Sequence, residues 1–396
     1  MDRIVPPKYV LRVLFTLQSR GYPAYLVGGC VRDMLLGVRP HDWDVCTGAR
    51  PEEVMAVFPK TRPTGLQHGT VTVIDGSHAL EVTTFRAEGE YSDHRHPDAV
   101  RFVTDLTADL SRRDFTINAM ALSAEGVLTD PFGGREDLQK GLVRCVGDPE
   151  QRFEEDALRM FRALRFSARL GFRIDPATRE AIRRKAPLAA ALACERVREE
   201  LEKLLLTRSP ETLGELVELG LLDPWLYHRP SPGLEYLRLS ALPRVALDRW
   251  CGLCWLLERD GAIASAESFL DSLRLDSRSK SCCAGAIEIL SSPMPASAAE
   301  WKRCLRRHGT EAALCAARCA DAFEHRGHTR ALKEVLKSGE CFSLRHLAVG
   351  GEDLLALGLR GKALGEMLDF LLDYVIEYPE NNRRELLLNI AAHTEE

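Results

Sequence analysis

The spacing of apolar residues changes character once along this chain, near Phe153, and no other feature constrains the fold as much. Over roughly the first 130 residues the apolar runs are short and bounded by turn residues, so AYLVGG, DWDVCTG, GTVTVIDG, ALEVTTF and AVRFVT read as strands. Between them VRDMLLG and PEEVMAVF place apolar residues three and four apart, the period of short helices. From Phe153 onward EEDALRMFRALRFSARLGF, PATREAIRRKAPLAAAL and ERVREELEKLLLT carry leucine, alanine and arginine at helical period, and the remainder reads as helix too. Breaks rich in proline, glycine or serine fall at Ser209-Pro210, Arg229 to Gly233, Ser291 to Ser297 and Gly350 to Glu352. At 396 residues the chain exceeds what one hydrophobic core organises, which predicts a multi-domain protein: a mixed α/β N-terminal part followed by all-α segments in series.

A net charge of -5 excludes a protein that is basic all over, so any nucleic acid must meet a local basic surface. Twelve cysteines lie at irregular spacings, and the opening MDRIVPPKYV has none of the parts of a secretory signal, which together fit a reducing cytosol and predict a cytoplasmic protein. No apolar run approaches the roughly 20 residues that cross a bilayer, so no membrane partner is expected.

The segment from Tyr25 to Asp44, YLVGGCVRDMLLGVRPHDWD, is the first with chemical content. A strand ending in Gly28-Gly29 and turning at once into a helix leaves backbone N–H groups available to phosphate oxygens, and Arg32, one turn on, can pair with the same phosphates. An ordinary strand-to-helix corner explains the glycines equally well. Asp42 and Asp44 follow, and an i, i+2 pair on a strand points two carboxylates to one face. Such a pair is tolerated when solvated or when a cation lies between the carboxylates, and magnesium takes oxygen ligands of this kind together with substrate phosphates. Either motif alone is commonplace; a glycine turn followed a short helix later by D-x-D is far less so. Glu81, at the start of EVTTFR, is a candidate third carboxylate, but a charge on a strand's solvent face accounts for it as well, and it is not counted among the site residues.

In SRRDFTINAMA, from Ser111, the residues Arg112, Arg113 and Asp114 precede what reads as an apolar helix. Arginine makes bidentate contacts to phosphate, and an adjacent aspartate would hold it in position; a helix cap with exposed arginines is the plainer reading. The helix beginning Glu154-Glu155-Asp156 is more informative. Asp156, Arg159, Arg162, Arg165 and Arg169 recur every three or four residues on one broad face, with Leu158, Phe161, Leu164 and Phe166 as its packing side. An aspartate accepts the exocyclic amino hydrogens of cytosine or adenine, while a neighbouring arginine donates to the ring nitrogen beside them. Uracil and guanine present the opposite polarity and would leave buried groups unpaired, at about 1 to 3 kcal/mol each. Asp156 with Arg159 could therefore select C and A without a nucleic-acid template.

Taken together, LVGGCVRDMLLG, HDWD, EVTTFR, SRRDFTINAMA, DPFGG, EEDALRMFRALRFSARLGF and ERVREELEKLL resemble the class II tRNA nucleotidyltransferases, the CCA-adding enzymes and their bacterial poly(A) polymerase relatives. The resemblance covers about the first 210 residues, with a looser match in GGEDLLALGLRGKALGEMLDFLLDYVI. It implies a nucleotidyltransferase head of polymerase-β type over residues 1–140, a helical neck over 141–208, a helical body over 209–335 and a helical tail over 336–396. It also implies that Asp42 and Asp44 are the catalytic metal ligands for magnesium, that Gly28, Gly29, Arg32 and Arg113 bind the triphosphate, that Asp156 and Arg159 read the base, and that Arg162 and Arg165 complete the pocket. The implied reaction adds CCA to the 3′ end of tRNA from CTP and ATP, the 3′-hydroxyl attacking the α-phosphate in line while one magnesium favours the alkoxide and a second the leaving pyrophosphate.

CC-adding, A-adding and poly(A) enzymes share these motifs. TRPTGLQHGTVTVI, from Thr61, resembles CCA-adding enzymes, and RAEGEYSDHRHPDAV resembles the flexible loop that CC-adding enzymes lack, so a CCA-adding enzyme is expected, with an A-adding enzyme or poly(A) polymerase as alternative. A non-catalytic RNA-binding protein of the same fold is the alternative of another class; the retention of two mutually repelling carboxylates speaks against it. Cys251 and Cys254, with Cys282 and Cys283 beyond them, fit no standard zinc spacing, and His325 and His328 lack accompanying acids, so neither group is expected to bind metal.

Overall fold

The computed structural model describes residues 5–88, 100–231, 235–324 and 327–393, arranged in two compact units, Met1–Pro224 and Trp225–Glu396. Helix α1 (Lys8–Ser19) opens the first unit and buries Val10, Val13, Leu14 and Leu17, the three-and-four spacing of one helical face. A seven-stranded sheet follows, built from β1 (Ala24–Val27), β2 (Asp44–Thr47), β3 (Thr61–Gly65), β4 (Thr70–Asp75), β5 (His78–Thr84), β8 (Ala121–Leu122) and β9 (Leu128–Thr129) in the order β3-β4-β5-β2-β1-β8-β9. Helices α2 (Gly29–Leu35) and α3 (Pro51–Val57) fall on the two segments read as helical from their period. A two-stranded ribbon of β6 (Arg86–Glu88) and β7 (Val100–Phe102) stands apart from the sheet. The segment between them, residues 89–99, includes most of RAEGEYSDHRHPDAV and lies outside the described residues, as does His325.

Two registers of the sheet matter for the site. Strand β2 pairs antiparallel with β1 and parallel with β5, and in the second pairing Asp44 is opposite Glu81 and Val45 opposite Val82. On β5, Leu80, Val82 and Thr84 are buried while Glu81 is exposed, so the period of two carries Glu81 and its partner Asp44 to the same non-core side.

Helix α4 (Leu106–Ser111), capped by the Asp105 side chain, leads into SRRDFTINAMA. The apolar stretch there is not the helix expected from sequence: Thr116–Asn118 makes a single 3-10 turn, and Ala121–Leu122 enters the sheet. Sheet pairing to β1 claims these residues, and a backbone committed to a neighbouring strand is unavailable to a helix. Helix α5 (Gly134–Lys140) packs against this turn so closely that a Cβ on Gly134 would meet the Thr116 carbonyl. A short parallel pairing of β10 (Leu142–Val143) with β11 (Arg173–Ile174) then ties the chain before α6 (Pro149–Glu155) to the end of α7 (Leu158–Leu170). Helices α8 (Pro176–Lys185), α9 (Cys194–Leu205) and α10 (Leu213–Glu218) complete the unit.

The second unit is helical throughout: α11 (Ala246–Arg259), α12 (Ala266–Ser272), α13 (Ser277–Leu290), α14 (Ala298–Glu324), α15 (His328–Ser338), α16 (Gly351–Ala356), α17 (Gly361–Glu377) and α18 (Arg384–His393). Helix α14 is bent at Gly309, whose φ of 80° breaks the helical backbone. Leu354, Leu371, Leu372, Val375, Ile376 and Leu387 form a core of their own for the last three helices. No helix among the described residues is long and apolar enough to cross a membrane.

Candidate active site

The glycine turn after β1 sets the floor of the site. Gly28 has φ 72° and ψ -134°, a backbone conformation open essentially to glycine alone, and a Cβ there would stand 3.1 Å from Nη1 of Arg113. Gly29 begins α2, which carries Arg32 inward. Arg32 is buried; its Nε and Nη2 donate to Asp33 Oδ1 at 2.9 and 2.7 Å and its Nη1 to Asn118 Oδ1 at 2.7 Å.

Above this turn lies a cavity of about 560 Å³ whose lining includes nine arginines and only three aspartates. Gly28, Gly29, Arg32, Asp44, Arg113, Asp156, Arg159, Arg162 and Arg165 all contribute to it. Nine of the ten residues picked from sequence thus meet in one place. Asp42 does not line it. Strand β2 begins only at Asp44, so the expectation that both aspartates share one strand face is corrected: Asp42 sits in the bend before the strand, 86% exposed, with Oδ1 3.1 Å from Nδ1 of His41. Glu81, set aside at the sequence level, is the residue beside Asp44 in register. Desolvation raises the Asp44 pKa, Glu81 raises it further, and Arg113 works the other way. Asp44 and Glu81 form a pair of hard oxygen donors whose repulsion a divalent cation would relieve, with Asp42 near enough for its charge to be felt at Asp44. Three such side chains do not converge on a ready-made metal position anywhere among the described residues.

Arg113 is held by Asp109, not by the adjacent Asp114 as the sequence implied. Asp109 is fully buried within α4; it accepts from Arg113 Nη2 at 3.2 Å, from Arg112 Nε and Nη2 at 3.0 and 2.9 Å, and from the Arg86 amide at 3.2 Å. Burial would raise its pKa, but Arg112 and Arg113 outweigh burial and hold it below the ordinary value. Helical spacing decides this, because residues three and four apart face each other while neighbours diverge. Among the described residues, Nε of Arg113 is buried without a hydrogen-bond partner, an unsatisfied donor at the cavity wall. Asp114 instead receives Arg162, with Nε and Nη2 at 2.9 and 2.6 Å from Oδ2, while Oδ1 accepts from Asn118 and the Phe115 amide.

The arginine helix is also divided differently from the sequence reading. Asp156 is not part of it; it lies in the break between α6 and α7 with φ -146°, and its Oδ1 caps α7 by accepting from the Leu158 amide at 3.1 Å. Its carboxylate meets Arg196 of α9, Nη2 to Oδ2 at 2.9 Å. Arg159 donates to Glu155 Oε2 at 2.6 Å and to the carbonyls of Arg152 and Arg112. The two residues expected to stand as one base-reading pair are therefore each engaged with a different partner, because a buried charge takes the nearest opposite charge that packing supplies. Arg165 is paired with the buried Glu200 of α9, and the Phe166 ring is faced by the guanidiniums of Arg32, Arg162 and Arg165 at 5.3, 5.6 and 4.2 Å. Arg196, Asp109 and Glu200 were missed at the sequence level; ERVREELEKLL, which carries Arg196 and Glu200, was the only signal for two of them.

Residues 24–144 match the family described as "Poly A polymerase head domain", 171–237 the "Probable RNA and SrmB- binding site of polymerase A", and 246–391 the second domain of tRNA nucleotidyltransferases. A CCA-adding enzyme of Geobacillus sp. is 42% identical over 363 residues, covering 88% of this chain and 87% of the relative. That of Limosilactobacillus fermentum is 37% identical over 390 residues, covering 96% and 95%. Among solved structures, the Bacillus stearothermophilus CCA-adding enzyme in complex with CTP superposes with a TM-score of 0.83 at 34% identity, over 99% of this chain and 98% of that one. An arginine-lined cavity over a glycine turn, in a polymerase head followed by helices, thus belongs to a chain that is a member of the CCA-adding enzymes, the metal-dependent tRNA nucleotidyltransferases.

Proposed function

We propose that the cavity binds CTP and then ATP, and that Asp42 and Asp44, with Glu81 beside Asp44, would hold magnesium at its edge once triphosphate oxygens supply the remaining ligands. The enzyme rebuilds the CCA end of tRNA, transferring a nucleotidyl group to the 3′-hydroxyl with release of pyrophosphate. The observation that carries the assignment of roles is the charge of the cavity: nine arginines line it, and even with Asp33, Asp109, Glu155 and Glu200, which pair with them, added to Asp44, Asp114 and Asp156, a positive surplus suited to a triphosphate remains, while Nε of Arg113 has no acceptor among the described residues. When bound, magnesium would neutralise the phosphate oxygens and favour the alkoxide of the attacking hydroxyl.

In this reading Gly28 keeps Cβ away from Arg113, so that the guanidinium reaches phosphate next to Gly29, and Arg32 contributes positive charge from beneath the turn. Asp156 and Arg159 read the base. The exocyclic amine of C or A replaces part of the Arg196 contact at Asp156, and the ring nitrogen takes a donor from Arg159. Arg162 and Arg165 are fixed by Asp114 and Glu200 and close the pocket around Phe166. We further assign residues 1–140 as head, 141–208 as neck, 209–335 as body and 336–396 as tail, the helical parts holding the tRNA backbone through salt-dependent contacts. Twelve cysteines, all free thiols, support a cytoplasmic setting.

The deciding experiment is to sequence the products formed on tRNA ending at its discriminator base with CTP and ATP present. Products ending in CCA are expected. Long A tracts, or inertness unless CC is already in place, would overturn the reading in favour of a poly(A) polymerase or an A-adding enzyme respectively.

A further inference from the structure

The second unit contains a concentration of thiols that the transfer reaction does not use. Helices α11, α13 and α14 pack on one another and contribute Cys251 and Cys254, Cys282 and Cys283, and Cys315 and Cys319. Each is a free cysteine, and none is more than 7% exposed. Cys251 is the hub: its Sγ is 3.2 Å from Sγ of Cys283, and it is also within thiol hydrogen-bond reach of Cys282 and Cys315. Cys282 and Cys315 are in reach of each other as well. No three of these side chains are disposed to hold a metal ion.

We propose that this thiol layer is an oxidation site at which hydrogen peroxide joins Cys251 of α11 to α13 by a disulfide, first through Cys282 and then through Cys283. A disulfide bond is about 2.05 Å long, so the Cys251 and Cys283 sulfurs need close by only about 1 Å. Cys282 is the way in because it is the most exposed of the six, and thiol donors from Cys251 and Cys315 favour its thiolate against burial and against the charge of Glu311, with which Arg278 is ion-paired. The Cys282 thiolate attacks one peroxide oxygen; the S–O bond forms, the O–O bond breaks, and the departing hydroxide takes a proton to leave as water. The Cys251 sulfur then attacks the sulfenic sulfur, forming S–S and releasing the second water. Finally Cys283 attacks the Cys251 sulfur and Cys282 departs as a thiol, its proton restored from Cys283. The sum is two thiols and one hydrogen peroxide giving one disulfide and two waters.

The test uses the reduced full-length chain treated with hydrogen peroxide under native conditions, alkylated in denaturant, digested without reduction and mapped by mass spectrometry. The expected product is the tryptic peptide beginning at Trp250 joined to the one beginning at Ser281, reversible by dithiothreitol. Cys282→Ala should slow the joining at least tenfold yet leave it possible, and Cys251→Ala should abolish it while dimedone traps a sulfenic acid at Cys282. The proposal fails if the unmodified sequence gives no such linkage under native conditions, gives it only after unfolding, or if Cys282→Ala is oxidised at the original rate. The first of these outcomes is read on the unaltered chain and does not depend on either variant folding.

Discussion

Replacing Gly28 by alanine tests the geometry on which the site rests, and Gly29→Ala is its internal control. At Gly28 the backbone has φ 72° and ψ -134°, where a side chain costs about 1–3 kcal/mol. At about 2–4 °C per kcal/mol for a unit of this size, Gly28→Ala should lower the melting temperature by about 2–12 °C. The new methyl would also stand 3.1 Å from Nη1 of Arg113 and 4.0 Å from Oδ2 of Asp44, so the guanidinium must give way by a few tenths of an ångström. Loss of one charged hydrogen bond is about 1.5–3 kcal/mol, which corresponds to about 10- to 150-fold in rate. Gly29 has an ordinary φ, and its added methyl would meet only Nη2 of Arg32 at 3.6 Å, ordinary van der Waals contact. That variant should melt no lower than the unaltered chain, with a slight gain in helix propensity. The assay is single-turnover incorporation of labelled ATP and CTP, alongside thermal melts of both proteins. Equal melting of the two alanines would refute the argument from Gly28's conformation.

Asp44→Ala and Asp42→Ala should each abolish transfer of both nucleotides and leave tRNA binding, measured by filter retention, within a few fold; parallel loss of binding would remove the metal role. Arg159→Ala should admit UTP or GTP, visible as misincorporation in single-nucleotide assays, because the donor that opposes an N–H on the base is gone; unchanged selectivity would defeat the base-reading assignment. Asp114 and Asp109 give the head an acid limit. Burial raises each, but Arg162 for Asp114, and Arg112 with Arg113 for Asp109, hold both pKa values below the ordinary 3.8. A depressed folded pKa adds stability that is fully present above the unfolded value and lost as pH falls through the folded one. Melting temperature should therefore decline below about pH 4, and Asp114→Asn should remove part of that decline while lowering stability at neutral pH by about 3–5 kcal/mol, the range for breaking one side of a buried pair.

Much of the site could be seen in sequence because its parts are local. The glycine turn, the carboxylates around Trp43 and the arginines of α7 are each written within a few residues, and their spacings carry meaning without knowledge of the fold. Glu81 shows where this stops. Its alternation on a strand was legible, but that it stands beside Asp44 depends on a parallel pairing between β2 and β5 that no local pattern encodes.

From the residues alone came the change of period near Phe153, hence a mixed head and a helical remainder, and the inventory of groups that can bind a triphosphate and discriminate bases. The choice of partners was left to tertiary structure. Asp156 meets Arg196 across 40 residues and Asp114 meets Arg162 across 48, while FTINAMA gives up a helix as its Phe115 bridges to Cys145 and its Ala121 pairs with β1. The reason is that a buried charge or an unpaired backbone group must be satisfied by whatever packing brings within about 3 Å, and that distance is set by the fold, not by separation along the chain.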